Sequence, residues 1–139
     1  MRAALHIVVI AVVLAGCRKE AAGDEEETKV LFALQLPPGA AMPTTPSDNP
    51  LTDVSVRLGK ALFFDTRLSR NGSISCASCH HPDHAFSDIL PLSLGVDALP
   101  GLRNAPTLGN VAYHSSFFRD GGVPTLEQQA LAPIDNERE

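Results

Sequence analysis

Apolar positions along this chain fall into contrasting patterns. From about Ala3 to Ala15 they form a nearly unbroken run, shorter than the roughly 20 residues a membrane-spanning helix needs. A short second group, Leu31, Phe32, Leu34 and Leu36, predicts a packed segment ahead of a proline-rich, extended stretch from Pro37 to Pro50. The stretch LTDVSVRLGKALFFD then places Val54, Leu58, Ala61 and Leu62 at helical spacing, with Thr52 or Asp53 able to cap the first amides and Gly59 as an interior weakness. In TRLSRNGSIS the period is lost, and Asn71-Gly72 marks the tightest point of a turn. Near the end, VPTLEQQALAPI reads as a short helix capped by Thr125, with Leu126 and Ala130 facing inward. There are no internal repeats.

Composition narrows the class. The 139 residues suffice for one modest domain, and 19% charged residues put the chain among globular proteins. Eleven prolines and ten glycines imply many loops, and with no Trp and few aromatics the core would be small. Such a core would welcome a large apolar cofactor to pack around. A formal net charge of -5 leaves no basic footprint, so nucleic acid is not an expected partner.

The first apolar run has the marks of a targeting segment: Arg2 precedes it, and small residues lead to a cysteine. LAGC, Leu14 to Cys17, resembles the bacterial lipoprotein box. On that reading residues 1–16 are removed and Cys17 becomes a lipid anchor; the alternative is an ordinary signal peptide with an incidental cysteine. Either way the chain leaves the cytoplasm. The charged stretch RKEAAGDEEETK that follows has almost nothing to bury and reads as a solvated tether.

The densest chemistry is in SCASCHHPDHAF. Cys76-Ala77-Ser78-Cys79-His80 has the C-x-x-C-H spacing of c-type haem attachment. If the segment turns helical, its two thiols reach the vinyl groups on one porphyrin edge, and His80 projects an imidazole toward the iron. Zinc sites and redox disulfides also use C-x-x-C. Export favours haem, and no thioredoxin-like pattern surrounds the cysteines. Zinc would have to recruit His81, His84 or His114. On a continuing helix His84 lies on the same side as His80 and His81 points about 100° away, so both read as exposed polar residues rather than ligands to the opposite face of the haem. Met42 and His114 are the other candidates for the sixth position, and an open or weakly held sixth position is expected. Asp65, Arg67 and Arg70 read as a capping and ion-pair cluster, with an arginine at a haem propionate as the alternative. The phenylalanines 63, 64, 86, 117 and 118 read as pocket and core packing, Tyr113 as packing with a satisfied hydroxyl, and Asp83 and Asp88 as surface.

LGKALFFDTRLSRNGSISCASCHHPDHAFSD, RNAPTLGNVAYHSSFFRDGG and LEQQALAPIDNERE, in that order, resemble the N-terminal haem domain of the bacterial diheme cytochrome c peroxidases, the family that includes MauG-like enzymes. The resemblance runs from about Leu51 to Glu139. It implies an all-α, cytochrome c-like fold holding one covalently attached haem c, the peroxidatic one, with a second haem in a further domain. Cys76, Cys79 and His80 match the attachment and proximal positions; Gln129 and Glu139 match the distal glutamine and glutamate; Asn104 matches a position that helps bind calcium between the domains. A carboxylate at Glu139 would move a proton between the oxygens of peroxide on the way to a ferryl haem, while Gln129 would orient the peroxide. Without the family, both read as solvated polar residues.

The chain departs from the pattern in several places. The loop LPLSLGVDALPGLRN lacks the histidine with which many members hold the resting iron and has Val96 near that place, so no reductive switch is expected to be needed. Arg119 stands before Asp120-Gly121 where the family often has a tryptophan between the haems. A single C-x-x-C-H is present, and the sequence ends at Glu139, which suggests a piece of a longer protein.

The expected organisation is a signal peptide over 1–16, a lipid-anchored tether and extended arm over 17–50, and the haem domain over 51–139. The implied function is that of a periplasmic, membrane-anchored peroxidase of a Gram-negative bacterium that reduces hydrogen peroxide with electrons from a small cytochrome or copper protein; a homodimer is the expected state of the full-length protein. The alternatives are a MauG-like oxidase of another protein and a monohaem electron-transfer lipoprotein.

Overall fold

The computed structural model describes residues 30–139; the expected signal peptide, Cys17 and the charged tether of residues 18–29 lie outside them. Among the described residues, helices are the only extended regular elements, joined by long loops that include single 3-10 turns and isolated β-bridges. This agrees with a small helical cytochrome c-like domain.

Helix α1, Asp53–Phe63, forms where the periodicity placed it. Its N-terminus is closed by a capping box: Thr52 Oγ1 accepts the Ser55 N–H at 3.1 Å, and Ser55 Oγ accepts the Thr52 N–H at 2.9 Å. These bonds satisfy amides that have no partner inside the helix. The arm docks on the same point, with Phe32 N–H donating to Leu51 O at 3.0 Å and Asp53 N–H to Val30 O at 3.1 Å. Leu31 and Phe32 therefore join by backbone pairing rather than by packing, and Leu31 remains exposed. The apolar stripe of α1 is likewise uncovered by protein, since Val54, Leu58, Ala61 and Leu62 are all exposed.

After α1, Asp65 caps the 3-10 turn Thr66–Leu68, and the chain tightens at Gly72, whose φ of 72° suits a residue without a Cβ. Helix α2, Cys76–Cys79, is a single turn. Helix α3, Leu126–Ile134, starts from Thr125, whose hydroxyl accepts the Gln128 N–H at 3.2 Å. Leu126 is half-buried, but Ala130 is exposed, contrary to the inward face expected for both; in a helix of nine residues only part of one face meets the rest of the chain.

Loops carry most of the organisation. Residues 93–101 form a small hairpin, with Gly95 N–H donating to Leu99 O at 2.9 Å and Gly101 N–H to Ser93 O at 2.7 Å. Val96 at its tip is fully buried, and Phe117 at 6% exposure is the other buried apolar side chain among the described residues. Tyr113 ties the proline-rich arm down by donating its hydroxyl to Ala41 O at 2.8 Å, although its ring stays half exposed.

Candidate functional site around the cysteine-histidine motif

Helix α2 begins at Cys76 because Ser75 and Ser78 close a reciprocal cap, the Ser75 N–H donating to Ser78 Oγ at 3.0 Å. It ends at once: His80 is the C-cap, with φ -113° and ψ 75°. The helix expected to run through His84 therefore stops five residues early, and the geometric grounds for setting His81 and His84 aside fail with it. Pro82 starts a separate 3-10 turn, Pro82–His84, because its ring fixes φ and removes a backbone donor. The imidazoles of His81 and His84 meet edge to face, 5.9 Å between centroids, and His81 Nε2 lies 3.9 Å from Asp88 Oδ1.

The break aims His80. Its Nδ1 lies 2.9 Å from the carbonyl oxygen of Phe86. A carbonyl only accepts, so Nδ1 carries the proton and Nε2 keeps a free lone pair, the tautomer of a metal-ligating imidazole oriented by a second partner. Phe86, at φ 57°, is brought back by two further bonds: its N–H donates to His81 O at 2.9 Å, and the Thr107 hydroxyl holds the neighbouring Ala85 carbonyl.

Cys76 is exposed and Cys79 half-buried, and no disulfide joins them. Burial pushes both thiols up, and the Glu139 carboxylate adds to this, while Asp88 also acts on Cys79. Among the described residues, no group of three or more His, Cys, Asp and Glu gathers as a metal ion would need. Around the motif lie large apolar side chains: Phe63 packs edge to face on Phe64 and Phe86, with centroids 5.2 and 5.9 Å apart, and Phe64, Phe86 and Leu94 stay at least 40% exposed. Two thiols on one helical turn, an imidazole with a free Nε2 and an uncovered apolar surround fit a covalently attached haem.

Glu139 comes close to this motif from the other end of the sequence. Its carboxyl is pushed up from the ordinary range by burial, opposed by attraction to His80. The residue keeps a solvent-facing surface, yet enough protein surrounds the carboxyl to disfavour its charge. Asn136 sets its side chain: Asn136 Nδ2 donates to Glu139 Oε1 at 3.3 Å, while Asn136 Oδ1 accepts the Arg138 N–H at 3.0 Å. Gln129 is half-buried on α3. Asn104 acts as a staple, its Nδ2 donating to Asp88 O at 3.3 Å and to Leu90 O, which leaves its amide oxygen as the atom suited to a cation. Met42 and His114 are both exposed.

The surrounding charges divide as expected in one case and differently in another. Asp65 and Arg67 form the anticipated cap and ion pair, 2.6 Å apart. Arg70 instead crosses to Asp97 at 2.7 Å, and Asn71 joins it on the other carboxylate oxygen at 3.0 Å. Asp88 is not a surface residue: its side chain is covered, though its site is shallow, and its carboxyl is held below the ordinary range chiefly by the Leu90 N–H at 2.9 Å. Sequence reasoning also passed over Ser93, buried between Gly101 and Ala105, and Asn136. The Asp-x-Leu spacing after Ser87 and the Asn-x-Arg-Glu spacing at the end were the available signals, both being side-chain-to-backbone turns.

A family model described as di-haem cytochrome c peroxidase matches residues 53–139. The chain belongs to that family. Membership brings covalent haem c with it, in agreement with the geometry at Cys76, Cys79 and His80. Methylamine utilization protein MauG of Methylorubrum extorquens is 49% identical over 89 residues, 64% of this chain and 25% of that protein. Cytochrome c551 peroxidase of Pseudomonas aeruginosa is 40% identical over 90 residues, 65% of this chain and 26% of that protein. A crystal structure of a MauG-like protein associated with microbial copper homeostasis superposes with a TM-score of 0.70 at 36% identity, over 76% of this chain and 30% of that one. This di-haem peroxidase-family chain thus spans about a quarter of the length of the curated relatives it matches.

Proposed function

We propose that residues 51–139 form the peroxidatic haem domain of a periplasmic enzyme that reduces hydrogen peroxide to water with electrons from a small cytochrome or copper protein. The observation that carries this reading is the Glu139 carboxyl, brought close to His80 and the two cysteines from a distant part of the sequence, with burial raising its pKa and attraction to His80 opposing that rise. Cys76 and Cys79 would hold the haem and His80, with its Nε2 left available, would ligate the iron, and the haem would supply the redox chemistry at peroxide.

The chain's own groups manage protons and orientation. Glu139 accepts the proton from one peroxide oxygen and delivers it to the other, so that the second oxygen leaves as water. A carboxyl raised from its ordinary range suits this, because it is a stronger base than an ordinary carboxylate and so better matched to taking and returning a proton. Gln129 holds the peroxide by hydrogen bonding. Over the full turnover, one hydrogen peroxide, two protons and two electrons become two waters. The electrons arrive through a second haem domain, and Asn104 offers its amide oxygen to a calcium ion between the domains. Cys17 anchors the mature protein to the membrane by its lipid, residues 17–50 serve as the standing-off arm, and the full-length protein pairs as a homodimer.

A second reading is favoured by the 49% identity to MauG: the same site oxidises another protein instead of drawing on a small redox donor. Steady-state turnover of the full reading frame with peroxide tests both. Rapid turnover with a reduced small cytochrome or copper protein supports the peroxidase; no turnover with any such donor, in a protein that still reacts with peroxide, supports the oxidase.

A further inference from the structure

The segment carrying Glu139 has no regular secondary structure of its own. Its only backbone bonds within the last turn are Asn136 N–H to Pro133 O at 3.1 Å and Glu139 N–H to Asn136 O at 3.0 Å. What fixes it against the motif is the 93–101 hairpin. Val96 N–H donates to Arg138 O at 2.8 Å, and the Arg138 guanidinium reaches Pro100 O at 2.6 Å, so residue 138 is gripped at the tip and at the far strand. Gly95 lies flat against the same carbonyl: a Cβ at that position would stand 1.8 Å from Arg138 O, inside any tolerable contact. No side chain fits there while Arg138 stays in place.

At its other side the hairpin is tied to the turn that delivers the cysteines. Asp97 accepts from Arg70 at 2.7 Å and from Asn71 at 3.0 Å, four to six residues ahead of Ser75 and Cys76. Asp97 and Ala98 hold positive φ angles, 58° and 55°, which L-residues rarely adopt in succession. Backbone of this kind persists where surrounding contacts over-determine it, and the Arg70, Asn71 and Arg138 contacts are those restraints. One short hairpin thus spans from the approach to Cys76 to the residue before Glu139.

We infer that the 93–101 hairpin is a positioning clamp for Glu139, with Gly95 and Asp97 as its positioning residues. Gly95 admits the backbone of Arg138, and Asp97 keeps the hairpin registered on the turn ahead of the cysteines. The inference rests on the role of Glu139 in the proposed function, since a clamp matters only if the carboxyl it holds is used.

The test uses the haem-loaded protein in its full reading frame. Gly95→Ala, Asp97→Ala and Asp97→Asn are made alone and in combination with Glu139→Gln, and three quantities are read: the rate of reaction with hydrogen peroxide, the ferric absorption spectrum, and amide exchange at Val96. A displacement on the order of 1 Å at the reacting group can cost roughly 100-fold in rate. Gly95→Ala is accordingly expected to slow the peroxide reaction by about 10- to 100-fold, speed exchange at Val96, and leave the spectrum of the His80-ligated haem unchanged. In the Glu139→Gln background the same substitution is expected to have little further effect, because the carboxyl it misplaces is already gone.

Asp97→Ala is expected to behave like Gly95→Ala. Asp97→Asn, which keeps an acceptor for Arg70 or Asn71 and tolerates a left-handed backbone, recovers most of the rate. Wild-type rate in Gly95→Ala and Asp97→Ala, or an equal slowing in both backgrounds, overturns the clamp. If Gly95→Ala does not fold, the exposed Asp97 pair decides alone. A Glu139→Gln protein with the wild-type rate overturns the catalytic role and the clamp together, whereas a slow Glu139→Gln beside fast clamp variants overturns the clamp only.

Discussion

Asp65 binds the Arg67 backbone N–H at 2.9 Å and the Arg67 guanidinium at 2.6 Å with one carboxylate, which lowers its pKa from the ordinary 3.8 to about 2. A carboxylate depressed on folding stabilises the fold above its unfolded pKa and loses that contribution as pH falls through the folded value. Asp65→Asn is therefore expected to lower the unfolding midpoint at pH 6, with the gap from wild type closing as pH falls toward 2; a gap that persists at pH 2 would assign the effect to something other than this pair. The sequence announced Asp65 and Arg67 because they are two residues apart around a turn. It did not announce Asp97 as a structural group, since its partners lie 26 and 27 residues away. Spacing rules see i to i+2 and i to i+4 contacts, and long-range pairing of an ordinary aspartate leaves no local trace. Cys76, Cys79 and His80, by contrast, were legible because the chemistry they serve demands a fixed spacing.

Helix α1 illustrates what periodicity does and does not convey. Its span and its cap followed from residues 51–65, and the capping box depends on Thr52, which is 8% exposed. Thr52→Ala is expected to cost about 1 kcal/mol, read as a lower midpoint in urea or thermal unfolding; an unchanged midpoint would mean that the backbone pairing with Val30 and Phe32 fixes this end by itself. Helix α2 was legible only at its start. A C-x-x-C-H motif invites a continuing helix, but Pro82 and the Phe86 carbonyl that orients His80 end it after Cys79. In α3 the Thr125 cap was readable, while the direction faced by Ala130 was not, because a helix of nine residues with a proline at position 133 has few positions with which to set a period. The 93–101 hairpin, whose turn depends on positive φ at Asp97 and Ala98, has none of the Asn-Gly or Asp-Gly signals that mark such turns in sequence.

Over the whole domain, Val96 and Phe117 are the buried apolar side chains among the described residues, and much of the apolar surface of α1 and of the Phe63, Phe64 and Phe86 cluster is not covered by protein. A chain of this composition relies on its haem for a core. Replacing Cys76 and Cys79 together with alanine is expected to abolish the cooperative thermal transition of this domain, followed by near-ultraviolet circular dichroism; a sharp transition in the haem-free protein would show that the loops and helices suffice. The fold class was readable through the family resemblance that three motifs in order carry, whereas the route by which the end of the chain returns to the cysteines depends on the hairpin and was not. That return is the centre of the account. Its most direct test is the rate at which the ferric, full-length protein reacts with hydrogen peroxide, in the wild type and in Glu139→Gln. A loss of roughly 100- to 10,000-fold in Glu139→Gln, with the same ferric spectrum and the same covalent haem, is the predicted result; an equal rate in the two proteins, or a wild-type haem that peroxide leaves unchanged even after one-electron reduction, would contradict it and leave an electron carrier in its place.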